Sequence, residues 1–108
     1  MSADTATAVA AISLGLQALR AHALADTADH QAIAEVLATL YDDHRDRRDG
    51  SVLGLLSALI TDLGIRIGDQ IDEDIAETVD EAAGYVQDAA GSRLERARAL
   101  LAAPPTEG

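Results

Sequence analysis

Three histidines and a cluster of carboxylates are the side chains of this chain that could perform acid-base chemistry or bind a metal. An imidazole titrates close to neutral pH and can act as a general acid or base. Of His22, His30 and His44, the last shares a predicted helical face with Leu37 and Leu40. A histidine there is typical of the edge of a hydrophobic core, so a structural role is favoured. A small helical enzyme subunit that uses His44 and the nearby carboxylates stays open as an alternative.

The acidic run around His44 has the composition of a metal site but not its spacing. An EF-hand loop needs a glycine at its sixth position and a glutamate at its twelfth, whereas a count from Asp42 places Arg47 and Leu53 there. The chain has no cysteine and no Glu-x-x-His pair, which removes thiolate zinc sites and di-iron bundles. A phosphate-binding loop and a serine nucleophile elbow are also missing. The sequence therefore predicts a non-enzymatic protein with no catalytic residue, metal or cofactor.

The most acidic segment is DEDIAETVDE, residues 72–81, in which six side chains are carboxylates. No arginine or lysine lies between Arg66 and Arg93. On a helical wheel the carboxylates gather opposite an apolar arc and form a predicted acidic surface, which consists of Asp69, Glu73, Glu77, Asp80, Glu81 and Asp88. Three interpretations stay open: a solvated face that keeps the protein soluble, a docking surface for a basic partner, and a mimic of nucleic-acid phosphates.

Helices must position these residues, because the apolar side chains are almost all Ala, Leu, Ile and Val and only two residues are aromatic. The periodicity predicts an all-α fold, an antiparallel helical bundle of four main helices, the last long or broken near Gly91. The first three helices are predicted over 5–25, 28–47 and 51–66, and the fourth begins near Asp69 or Asp72.

Breaks between and within these helices are predicted from glycines and caps. Gly64 and Gly68 predict a bend or loop before the fourth helix. Ser92 and Glu95 have the spacing of a capping box, which predicts a kink or a restart after Gly91. Residues 1–103 are expected to form a single helical domain, and residues 104–108 a disordered C-terminal tail.

The first and third helices carry more apolar surface than a small monomeric bundle is expected to bury. In the first, a narrow seam beside the small residues Ala8 and Gly15 consists of Val9, Ile12, Leu16, Leu19 and Ala23. In the third, a wide stripe consists of Val52, Leu53, Leu56, Leu59, Ile60 and Leu63. Leu14, Leu55 and Ile65 lie outside these stripes and are the predicted self-association interface.

These surfaces predict an interaction or assembly protein that forms a homo-oligomer through its first and third helices. A basic cluster of Arg93, Arg96 and Arg98 follows the acidic segment, and we expect it to meet the acidic surface of a neighbouring copy. The alternative prediction is an acidic regulator or inhibitor, antitoxin-like or a phosphate mimic, that docks on a basic surface of a partner protein.

Charge and hydropathy bear on nucleic acids and membranes. A formal net charge of −11 argues against direct binding to nucleic acid or to an anionic membrane surface. The longest uncharged runs, 5–19 and 50–61, are shorter than the roughly 18–20 apolar residues that span a bilayer. The first residues lack the basic segment of a secretory signal. A cytoplasmic protein without a transmembrane helix is therefore expected.

Overall fold

The computed structural model describes residues 2–42 and 50–102, and within them the protein is an all-α helical bundle, as the sequence predicts. The helices are α1 (Ala3–Leu24), α2 (His30–Leu40), α3 (Val52–Gln70), α4 (Glu73–Gly84) and α5 (Ser92–Ala102), with a π-helical segment (Tyr85–Gly91) between the last two. No strand occurs in the described residues.

Local hydrogen bonds from side chains fix where these helices begin. Ser51 Oγ accepts from the Gly54 amide at 3.0 Å, so the predicted start of the third helix is confirmed. Asp72, rather than Asp69, starts the fourth: its Oδ1 accepts from the amides of Asp74 at 2.7 Å and Ile75 at 3.3 Å. These caps satisfy amides that have no partner inside the helix.

Helix α2 ends at Leu40, before the predicted limit of residue 47, because Tyr41 adopts an extended backbone. The exit from the helix lets the Tyr41 ring, which is only 4% exposed, lie against Gly91. A Cβ at Gly91 would stand 3.0 Å from three carbons of that ring. Residues 43–49, with His44 and most of the charged run, lie outside the described residues, as does the predicted tail.

Helix α3 continues through Gly64 and Gly68 to Gln70, so the loop predicted there is wrong. Both glycines instead face α4 at close range. A Cβ at Gly64 would lie 2.5 Å from Asp80 Oδ1, and one at Gly68 would lie 3.3 Å from the Cβ of Ala76. The two glycines therefore allow the backbones of α3 and α4 to approach closely.

The predicted fourth helix is long and continuous from Glu73 to Ala102, with the π-helical segment as its irregular part. The sequence predicts a kink or a capped restart after Gly91; the π-helical segment ends there, but Ser92 has helical dihedral angles and does not cap a separate helix. The N-terminal half packs against α3 and the C-terminal half against α2. Because a π turn holds more residues than an α turn, it changes the direction in which the following side chains point.

Little of the apolar surface is buried. The buried apolar side chains of the described residues are Val36, Tyr41, Ala76 and Ala83, and α1 contributes no buried residue. The chain exposes 8046 Å², whereas a compact monomer of this mass exposes about 5,700 Å². Its radius of gyration is 16.8 Å, against about 13 Å for a compact domain of this length. Helix α1 is thus peripheral to the bundle.

The contact between Gly91 and Tyr41 gives a stability prediction with a control in the same helix. Gly91→Ala should lower the free energy of unfolding by about 1–2 kcal/mol, because the new Cβ would stand 3.0 Å from three carbons of the buried Tyr41 ring. Gly84→Ala should raise it by up to about 1 kcal/mol, because a Cβ there has nothing within 4 Å and alanine favours the helix. Urea unfolding followed by circular dichroism measures both, and equal shifts would contradict the proposed contact.

Candidate functional site

An apolar groove lies between α1 and α3 and has a volume of about 600 Å³. Its walls carry no charged or hydrogen-bonding side chain and consist of Ile12, Gly15, Leu16, Leu19, Val52, Leu55, Leu56 and Leu59. Such a surface offers no group for catalysis or metal binding. It is suited to packing against other apolar side chains.

The side chains of the groove are strongly exposed for their type. Ile12 is 60% exposed, Leu55 59% and Leu59 56%. Val9 and Leu63, each about half exposed, continue the apolar surface along their helices. Burying one such side chain fully contributes about 1.5–3 kcal/mol, so the groove holds a considerable unused driving force for association.

Helix α3 has two apolar faces, and the smaller side chains face the bundle. Ser57 and Gly64 are buried against the fourth helix, and the Ser57 hydroxyl lies 3.3 Å from the carbonyl of Ala83, to which it donates a hydrogen bond. Leu56 and Leu59, which the periodicity places in the main stripe, lie in the groove instead. Small residues occupy the face of α3 that packs against the bundle, because they permit a closer approach of two backbones.

The three residues of the predicted self-association interface lie on different surfaces. Leu55 lines the groove. Leu14, 69% exposed, is on the side of α1 opposite Ile12 by helical phase, and Ile65, 58% exposed, faces away from the groove on α3. Only Leu55 is therefore brought to the groove, and the roles of Leu14 and Ile65 stay predictions.

Most residues of the groove are not in the interface predicted from sequence. The reason is that the apolar seam of the first helix is also the pattern expected of a helix that faces the core. Ile12, Leu16 and Leu19 follow a strict three-and-four spacing, which is typical of a coiled-coil seam as well as of a core-facing helix. The narrowness of that seam was the available signal. It favours pairing with another helix over burial in a broad core.

The predicted acidic surface is solvent-exposed throughout, and its members are Asp69, Glu73, Glu77, Asp80, Glu81 and Asp88. A shallow depression of about 460 Å³ lies at its C-terminal end, lined in part by Glu81, Asp88 and the exposed Tyr85. The exposure is compatible with each of the three interpretations of this surface that the sequence leaves open.

The three arginines of the predicted basic cluster differ in their hydrogen bonds. Both Nε and Nη2 of Arg98 donate to the carboxylate of Glu95, one turn earlier. This hydrogen bond raises the pKa of the Arg98 guanidinium above its ordinary value, while partial burial acts in the opposite direction. Arg93 donates to the carbonyl of Ala89 at 2.9 Å, and Arg96 is exposed. Arg98 is thus engaged within its own helix.

Histidines and carboxylates do not converge on a site in the part of the chain that the structure describes. His22 and His30 are exposed, one near the end of α1 and the other at the start of α2. No group of three or more His, Asp or Glu residues within 2–42 and 50–102 is arranged to hold a metal ion. The alternative role of His44 falls outside these ranges.

Helix α1 is long and apolar enough to cross a membrane by length and composition alone. It has 22 residues, a mean hydropathy of 1.2 in its most apolar window and no buried residue. The uncharged run within it, 5–19, is shorter than a span, but the helix also includes the flanking Asp4 and Arg20. The expectations of no transmembrane helix and a cytoplasmic location stay predictions.

No family model, curated protein or solved structure matches the chain. Function is therefore inferred from the groove and from the charged surfaces of the bundle.

Proposed function

We propose that this protein is a non-enzymatic assembly protein that self-associates through the groove between α1 and α3. The observation that supports it is a groove lined only by apolar residues, several of which are about half exposed. Exposed apolar surface of this extent is costly for a soluble monomer and is typical of a protein interface.

The available area is sufficient for a stable homodimer. Each chain exposes about 2,300 Å² more than a compact monomer of the same mass. A standard protein interface buries about 800 Å² on each partner. A second copy that covered the groove and the adjoining apolar surface would therefore account for about a third of the excess.

The distribution of charge favours the groove as the contact between two acidic chains. Each copy has a formal net charge of −11, so most orientations of two copies bring like charges together. The groove has no charged lining residue. The acidic surface lies mainly on α4 and the π-helical segment, which do not line the groove. Contact through the groove thus avoids placing carboxylates at its centre.

The test is the molar mass in solution, measured by light scattering after size exclusion at low and at high salt. We expect a dimer or larger species at about 0.1 M and at about 1 M salt, where the Debye length falls from ~10 Å to ~3 Å. Association should be equal or tighter at high salt, because apolar burial persists while the repulsion between acidic chains is screened. A monomer in both conditions would contradict the proposal.

A second candidate function is an acidic regulator or inhibitor that docks on a basic surface of a partner protein. The exposure of all six residues of the acidic surface favours it. This candidate expects a monomer in the same light-scattering series, because its groove would have no role in self-association. It also expects affinity for a basic protein to fall steeply as salt rises.

A further inference from the structure

Gly15 lies in the middle of α1, and no contact within the described residues explains why this position lacks a side chain. A Cβ built there has nothing within 4 Å. At Gly64, Gly68 and Gly91 a Cβ would approach another helix or the Tyr41 ring at 3.3 Å or less, whereas Gly84 is as open as Gly15 but lies outside the groove. Glycine weakens the interior of a helix relative to alanine, so Gly15 carries a cost without a benefit inside the monomer.

The position of Gly15 indicates which contact would explain a glycine there. It is the one residue without a side chain among those that line the groove. Ala11 and Ala18 lie one turn to either side of Gly15, and both are exposed. Their side chains are small, so they leave the backbone of α1 accessible on this face. Small residues beside a seam of larger apolar residues allow a second helix to approach the backbone closely.

Resting on the self-association proposed above, we infer that helix α1 of a second copy occupies the groove and that the two α1 helices cross at Gly15. The seam of Ile12, Leu16 and Leu19 in each copy then packs against its counterpart. The exposed leucines of α3 flank the crossing in both copies. Because α1 is both a wall of the groove and its occupant, the surface is complementary to itself, as a two-fold symmetric dimer requires.

Variants of Gly15 test the crossing against a glycine that is equally open. Gly15→Ala should raise the dimer dissociation constant at least about tenfold, because an added methyl separates two backbones in contact. Gly15→Leu should be monomeric at concentrations at which the wild type is a dimer. Gly84→Ala, whose new Cβ also meets nothing within 4 Å but lies outside the groove, should leave the dissociation constant within about twofold. Light scattering over a dilution series gives these constants, and circular dichroism verifies helix content.

The outcomes separate this inference from the proposed function. A wild-type dimer that Gly15→Leu leaves intact overturns the crossing at Gly15 and retains self-association. A monomeric wild type overturns both. A dimer that Gly15→Ala and Gly15→Leu weaken in that order, with Gly84→Ala unchanged, supports both.

Single cysteines provide a second measurement, because the natural chain has none. Leu16→Cys lies in the groove and should cross-link two copies with a short bifunctional maleimide. Ala10→Cys lies on the opposite side of α1 by helical phase and should not. Cross-linking through Ala10→Cys but not Leu16→Cys would move the contact to the face of Leu14 and overturn the inference.

Discussion

A Leu59→Asp variant is expected to be monomeric at concentrations at which the wild type is a dimer. Leu59 lies in the groove and is 56% exposed in the single chain. In the proposed dimer the substitution removes an apolar side chain worth about 1.5–3 kcal/mol and places an unpaired carboxylate in an apolar contact. The two effects occur once in each copy, so dimerisation should weaken by at least about 3 kcal/mol, or more than a hundredfold. Light scattering over a dilution series measures the change.

Ile65→Asp is the control for this experiment, because Ile65 has nearly the same exposure, 58%, in the same helix but outside the groove. We expect this variant to remain a dimer, with a free energy of unfolding within about 0.5 kcal/mol of the wild type. Dissociation by Ile65→Asp and not by Leu59→Asp would transfer the interface to the surface that the sequence alone predicted. Both variants add the same charge, so a general effect of charge would act on them equally.

Tyr41→Ala is expected to destabilise the fold more than Gly91→Ala does. The Tyr41 side chain is buried between the end of α2 and Gly91, where its removal leaves a cavity that the surrounding helices fill only in part. Truncation of a buried aromatic residue costs about 3–5 kcal/mol. A protein of this size has a total stability of about 5–15 kcal/mol, so much of it would be lost. Urea unfolding measured by circular dichroism gives the difference.

The natural control is the other tyrosine of the chain. Tyr85 is 72% exposed, and Tyr85→Ala should change the free energy of unfolding by no more than about 0.5 kcal/mol. The two variants delete the same atoms and differ only in burial. Similar unfolding midpoints would mean that the Tyr41 ring does not hold the C-terminal half of the long helix against α2.

Structure on the scale of a helical turn was predictable from sequence because it depends on neighbours in the chain. The caps at Ser51 and Asp72 are short-range hydrogen bonds, and the amphipathic pattern of α4 is a property of consecutive residues. Where a long-range contact competes, the prediction was wrong. The helix that the sequence extends to residue 47 ends at Leu40, and the Tyr41 ring packs against Gly91, fifty residues later.

The candidate site was predictable only in part. The surplus of apolar residues on the first and third helices was evident from the sequence, and Leu55 belongs to the groove. Periodicity indicates which side chains share a face of a helix. It does not indicate which of two apolar faces packs against the rest of the bundle. In α3 that choice was made by Gly64 and Gly68, which let α4 approach their face more closely than it could approach the leucines.

The sequence by itself determined that this protein is helical, strongly acidic, free of cysteine and richer in apolar residues than a small bundle requires. These properties are sums over residues or over single turns. Only the tertiary structure decided that α3 and α4 pack through small residues, that the long helix continues through a π-helical segment, and that α1 buries nothing. Those choices depend on how closely particular surfaces fit together in space, which composition and periodicity do not specify.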